Sequence, residues 1–205
     1  MALLADYATG RIPTAPGLIV SAHLEACSAC RDHVSAAEEA EGAALEASEP
    51  APLRDDALIR ALAAIDDSHR RPALADTVAA KLGDVRVPAA AARLGLKRRR
   101  FLAPGLWAAS VKVDDADGWR AFLLRVPAGM KVPPHRHRGS ELIAVLAGAF
   151  KDGHLYRAGD FAANLADGDH DLQATDDGPC ACLIAIQGRV QWRGWARMIT
   201  PLVGI

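Results

Sequence analysis

The sequence predicts an α+β chain of two domains, a small helical bundle followed by an all-β barrel or sandwich. Three observations carry this. Through roughly the first 85 residues, apolar side chains recur at helical spacing and no strand-like alternation appears. From about residue 104 the pattern changes to short β-rich runs punctuated by Asp-Gly and Gly-Asp turns. Between the two, VRVPAAAARLGLKRRRFLAP reads as a linker, part of which can form an edge strand; its basic run, Lys97 to Arg100, reads as a solvated linker or edge rather than a nucleic-acid patch. The expected boundaries are 1–85, 86–103 for the linker, and 104–205.

Composition narrows the function classes. The chain has 205 residues, is 51% hydrophobic and carries a formal net charge of −1. That is enough for one large domain or two small ones. Near-zero charge gives no reason to expect direct nucleic-acid binding or an anionic membrane surface. No apolar run is long enough to span a bilayer, and the N-terminus lacks the basic-then-apolar order of a secretory signal. The expected location is cytoplasmic, where the four cysteines read as thiols or metal ligands rather than disulfides.

In order along the helical half, Leu3, Leu4 and Tyr7 mark a first helix that Gly10 stops. Pro13 and Pro16 flank the start of a second, which carries Leu18, Ile19, Ala22, His23 and Ala26. A third runs from about Ser28 into EEAEGAALEASE and is punctuated by Pro50 and Pro52. The fourth, LRDDALIRALAAIDD, has an apolar stripe of Leu53, Ala57, Leu58, Ala61, Leu62 and Ile65, with Asp55 and Asp56 in its first turn, where the helix dipole favours them. A shorter helical segment, ALADTVAAKLGD, ends near Gly83. In the second half, GLWAASVKVD, GWRAFLLRVPAG, ELIAVLAGAFK, LYRAGDFAAN, HDLQATD and CACLIAIQG read as strands, with hairpin or turn signals at Asp152-Gly153 and 176–179.

Two constellations carry chemistry. In the helical half, His23 and Cys27 sit at i and i+4, one face of a helix, with Cys30 one turn further. Thiolates with an imidazole select Zn²⁺, which in structural sites takes four ligands. The bland alternative is two small buried cysteines beside a polar histidine. In the β half, GMKVPPHRHRGSELIAVLAG holds His135 and His137 two residues apart, hence on one face of a strand, with Glu141 four residues on. Two imidazoles and a carboxylate suit a divalent metal, Zn²⁺, Fe²⁺ or Mn²⁺. The bland alternative is an exposed basic turn. A third pair, Cys180 and Cys182, shares one face of an apolar strand and reads as small hydrophobic packing or a redox-responsive pair.

The tract from Gly129 to Gly148 matches the first motif of the cupin superfamily: Gly, five residues, His-x-His, three residues, Glu, six residues, Gly. That resemblance implies a jelly-roll barrel and a second motif opening at Gly159-Asp160, whose histidine would be His170. The second motif is degenerate, with Leu165 for the usual proline, the glycine displaced to Gly168 and Ala174 for the terminal asparagine. The implied metal set is His135, His137, Glu141 and His170.

The H-x-x-x-C-x-x-C segment, with Tyr7 and Gly10 upstream, resembles the zinc-binding anti-sigma domain. That family clamps an extracytoplasmic-function sigma factor, and its last helix crosses the partner. The resemblance therefore implies Zn²⁺ at His23, Cys27 and Cys30, and a partner face at Leu58, Leu62 and Ile65; the same stripe packing on its own bundle is the alternative. The family's fourth ligand, a histidine further upstream, would precede Met1, or a substitute such as His33 or Asp6 would complete the site. Together the two motifs resemble the ChrR-like cupin anti-sigma factors. These are regulators, not enzymes, and release a sigma factor on an oxidative signal such as singlet oxygen or organic hydroperoxide. The rival reading is a metal-dependent cupin enzyme, for example a dioxygenase, with a helical accessory domain.

Overall fold

The structure, a computed structural model, describes residues 2–70, 80–113, 118–133, 135–137, 139–164, 169–170, 172–188 and 190–192. Four helices come first: α1 Ala2–Ala8, α2 Thr14–Leu24, α3 Ser28–Glu46 and α4 Ala57–Arg70. Gly10, at φ +67°, ends α1 in the left-handed conformation that glycine adopts without steric cost. Pro13 caps α2 and Pro16 lies in its first turn, where a missing N–H forfeits no helical bond. Asp55 and Asp56 form a turn before α4 rather than its first turn.

Then follow a hairpin of β1 Lys81–Leu82 and β2 Val85–Arg86, the short helix α5 Ala89–Leu94, and strands β3 Arg100–Ala103, β4 Leu106–Ser110, β5 Trp119–Val126, β6 His135–His137 and β7 Glu141–Ala147. The remaining strands are β8 Ala149–Asp152, β9 His154–Arg157, β10 Phe161–Asn164, β11 Asp169–His170, β12 Gln173–Ala174, β13 Cys180–Gln187 and β14 Val190–Trp192. A six-stranded antiparallel sheet runs β10-β7-β13-β5-β4-β3. Two three-stranded sheets, β11-β6-β14 and β12-β8-β9, complete the β half. Among the described residues these are three separate sheets, two of them packed with one face of the large one, rather than a continuously bonded barrel.

The large sheet is apolar on both faces, as its near-unbroken buried strands require. One face, with Phe122, Ile143, Val145, Cys182, Ile184 and Ile186, packs with Phe150, Ala174 and Val190 of the smaller sheets. The other face, with Leu123, Leu142, Ala144, Leu183 and Ala185, is covered by Ala15, Leu18, Ile19 and Ala22 of α2. Those four positions follow the i, i+3, i+4, i+7 rule of one helix face. Pro16 and Val20, away from that face, are buried as well. Helix α2 is thus a core element shared by both halves.

Two expectations change. The tract 86–103 is not a loose linker: it contains α5 and β3, and Val87 and Ala91 are buried in the core under α2. The segment near Gly83 ends in the β1–β2 hairpin rather than a helix; its earlier part lies outside the described residues. Arg125 of β5 pins that hairpin by donating to Asp84 at 2.8 Å, which holds the Asp84 carboxyl below its ordinary pKa. Of the two readings of α4, packing of its stripe on the bundle is not what the structure has. Leu58, Leu62 and Ile65 are 70, 54 and 51% exposed.

A shared core predicts shared unfolding. Ile19→Ala should cost about 2–5 kcal/mol. All four tryptophans, at 107, 119, 192 and 195, lie in the β half. Their fluorescence and the helical circular dichroism should move to lower denaturant together; a shift in the helical signal alone would show two independent cores.

Candidate metal centres

The first centre is built at the junction of α2 and α3. His23 lies in the last turn of α2. The chain then leaves the helix: Ala26 and Cys27 both donate their N–H to the His23 carbonyl at 3.0 Å, and Cys27 is extended, at φ −109° and ψ 105°, as the N-cap of α3. Cys30 follows in the first turn of α3. The third helix thus starts at Ser28, where the sequence places it, but Cys27 is its cap rather than a residue on the helix of His23, and the group is a helix-turn-helix.

The break gathers the ligands. One donor atom from each of His23, Cys27 and Cys30 lies within 4.8 Å of the others, and His23 Nε2 is 3.3 Å from Cys30 Sγ. A tetrahedral zinc with ordinary bond lengths has S to N edges of about 3.5 Å, so the His23–Cys30 pair is spaced for that ion and Cys27 Sγ lies close enough to join them. The electrostatics suit thiolate ligation. Both sulfurs sit at the N-terminus of α3, where unpaired N–H groups favour negative charge. The backbone N–H and then the thiol of Cys30 draw the Cys27 pKa down, while burial and then the neighbouring Cys27 push that of Cys30 up. Asp6 and His33 do not belong to this group, and His33 is exposed.

Two contacts missed by sequence reasoning hold this turn to the β half. His23 Nδ1 lies 2.8 Å from the Gly159 carbonyl, at the turn between β9 and β10. Glu25 accepts the Ala89 N–H at 2.9 Å, placing a carboxylate at the start of α5. Phe161 stands beside the His23 ring, centroids 6.0 Å apart. Sequence marks Gly159 only as part of the second β-half motif.

The second centre lies among β6, β7 and β11. His135 and Glu141 are 6% and 3% exposed, the buried polar side chains of the described core. His135 donates from Nδ1 to the Pro133 carbonyl at 2.9 Å, which leaves Nε2 as a metal-capable lone pair. Glu141 begins β7 on the face shared with Ile143 and Val145, turned to the inner core. The antiparallel register sets His170 opposite His135, and His137 two residues along the same strand. The side chains of His137 and His170 lie outside the described residues. The buried imidazole and carboxylate fit a divalent ion by donor chemistry. The bracketing glycines behave as expected: Gly129 and Gly148 both have φ +68°, and a Cβ at Gly148 would lie 2.3 Å from the Pro179 carbonyl.

Cys180 and Cys182 are free thiols, buried on the inner face, with sulfurs 3.6 Å apart. The hydrogen bond between the two thiols, with either as donor, pushes the Cys182 pKa well above the ordinary range and lowers that of Cys180; burial adds to the former. His154 is exposed.

Residues 98–189 match the family described as the ChrR cupin-like domain. The whole chain aligns with the anti-sigma-E factor ChrR of Cereibacter sphaeroides at 32% identity over 211 residues, covering 100% of this chain and 96% of that protein. The chain belongs to the ChrR anti-sigma factor family. It is also similar to ChrR in the crystal structure of Rhodobacter sphaeroides SigE in complex with the anti-sigma ChrR: TM-score 0.73, 34% identity, 91% of this chain and 96% of that one. An RmlC-like cupin protein from Ralstonia eutropha JMP134 matches at 23% identity and TM-score 0.44, over 48% of this chain and 68% of its own. The ChrR likeness spans both halves, so helices followed by a cupin-like β domain are the family's architecture.

For a ChrR family member with these ligands, zinc should mask thiols selectively. In the metal-free native chain, Cys27 and Cys30 should react with a thiol reagent while buried Cys180 and Cys182 do not. Saturating zinc should suppress the first pair, and denaturation should expose all four. Rapid native labelling of Cys180 or Cys182 would contradict their burial.

Proposed function

We propose that this chain is a zinc-binding anti-sigma factor that holds an extracytoplasmic-function sigma factor inactive and releases it on an oxidative signal, such as singlet oxygen or organic hydroperoxide, received by the cupin-like domain. It is a regulator without turnover, acts in the cytoplasm and does not touch nucleic acid itself. The observation that carries this is the full-length similarity to ChrR, which has been crystallised in complex with SigE.

In this reading residues 1–85 are the sigma-binding part, 86–103 the connection and 104–205 the sensor. Zinc at His23, Cys27 and Cys30 stabilises the α2–α3 turn, since binding energy at such a site is folding energy. Helix α4 presents Leu58, Leu62 and Ile65 to the sigma factor. Their exposure supports this, because an apolar stripe turned to water on a helix favours a partner of complementary apolar surface. In the β half, His135, His137, Glu141 and His170 hold zinc or another divalent ion such as Fe²⁺ or Mn²⁺. Bound there, the ion supplies a site where an oxidant can alter the ligand shell. A change in that shell biases the bound and released states.

Co-expression with a candidate sigma factor tests this. The wild-type chain should retain the sigma factor through affinity purification. Leu58→Asp with Leu62→Asp should reduce capture at least tenfold, because each places a charge in an apolar contact. Cys27→Ser should lose both zinc and capture. His135→Ala and His170→Ala should leave capture intact and blunt release by peroxide. If those two abolish capture, the β half belongs to the clamp and not to the sensor.

A further inference from the structure

The zinc histidine is oriented by the other half of the protein. His23 Nδ1 lies 2.8 Å from the carbonyl oxygen of Gly159, 136 residues away. A carbonyl only accepts, so Nδ1 carries the proton in this contact and Nε2 is left with the lone pair. That lone pair faces the sulfur of Cys30 at 3.3 Å. Histidine ligands of metals usually donate their second N–H to such a partner, which fixes tautomer and ring orientation, and losing the partner weakens the site. What is unusual is where the partner resides.

Gly159 is held firmly. Its N–H donates to the Val145 carbonyl at 2.9 Å, and Val145 N–H donates to the Asp160 carbonyl at 3.0 Å. The Asp160 carboxylate accepts the Arg157 N–H at 2.7 Å and closes the turn. Val145 lies on β7, the strand that begins at Glu141. Gly159 itself has φ +93°, and a Cβ there would lie 3.4 Å from Ala26 Cβ in the α2–α3 turn. The turn and the ligand-bearing loop are in contact over backbone, ring and methyl group at once.

We propose that the Gly159 carbonyl is the positioning group of the zinc histidine, so that the β9–β10 turn sets the zinc affinity of the helical site. This rests on the zinc reading of His23, Cys27 and Cys30. By linkage the dependence is reciprocal: zinc at the helical site stabilises the β9–β10 turn against β7.

The experiment uses the full-length chain and a competing chromophoric chelator to read zinc affinity at the helical site in Gly159→Ala, with Gly153→Ala as control. Both glycines have positive φ, so both variants carry backbone strain; a Cβ at Gly153 meets nothing within 4 Å. The carrier of the β-half candidate set is removed in both by a His135→Ala background. Zinc should bind Gly159→Ala roughly 10–100-fold more weakly, and Gly153→Ala like the parent. Equal affinities in folded Gly159→Ala and its parent overturn the coupling and leave the zinc reading standing. A parent that binds no zinc overturns both. Should Gly159→Ala fail to fold, nitrogen NMR of His23 in the metal-free parent decides. A single Nδ1–H tautomer is expected, and a mixture dominated by Nε2–H overturns the proposal.

Discussion

Helix α2 is apolar on the face it turns to the large sheet and apolar again at Pro16 and Val20, so water is a poor neighbour on either side. Its satisfactory environment is a layer between the large sheet and the other N-terminal helices. Each fully buried aliphatic side chain there contributes about 1.5–3 kcal/mol, and Ile19, Leu18 and Val20 all lie within it. Much else follows from that docking. It sets the end of α2 over the β9–β10 turn, carries His23 to Gly159, and brings Glu25 to the start of α5. The tract that composition marks as a linker is ordered because it fills the remaining edge of the same core.

The two centres occupy opposite sides of one sheet. The helical trio lies on the α2 side, against a turn bonded to β7. Glu141 lies at the start of β7 and faces the inner core. A β-strand is a stiff connection with about 3.3 Å per residue, so Glu141 and Val145 are about 13 Å apart along β7. Helix α4 stands in contrast. Its apolar residues remain in water while α2 has buried its own, which separates the element that stabilises this chain from the one suited to a partner.

Much of the candidate chemistry was readable from spacing. His135 and His137 at i and i+2 must share a strand face once the segment is extended, and the glycines at 129 and 148 must turn. His23, Cys27 and Cys30 were identified as a set because few other roles suit that combination of side chains. Their local geometry was not readable. The start of a new helix near Ser28 is as the sequence places it, but i, i+4 spacing puts Cys27 on the helix of His23, whereas Cys27 is extended and caps the next helix.

The sequence by itself determined that helices come first and strands after, that His23, Cys27 and Cys30 form one group, and that Cys180 and Cys182 share a strand face. Those are properties of period and side-chain chemistry, which are local. Tertiary structure alone decided that α2 belongs to both halves, that α4 leaves its stripe exposed, and that a β-turn carbonyl meets His23. Each depends on which surfaces meet across more than a hundred residues of chain. A backbone carbonyl has no side chain to announce it, so no reading of residue types could find the Gly159 contact.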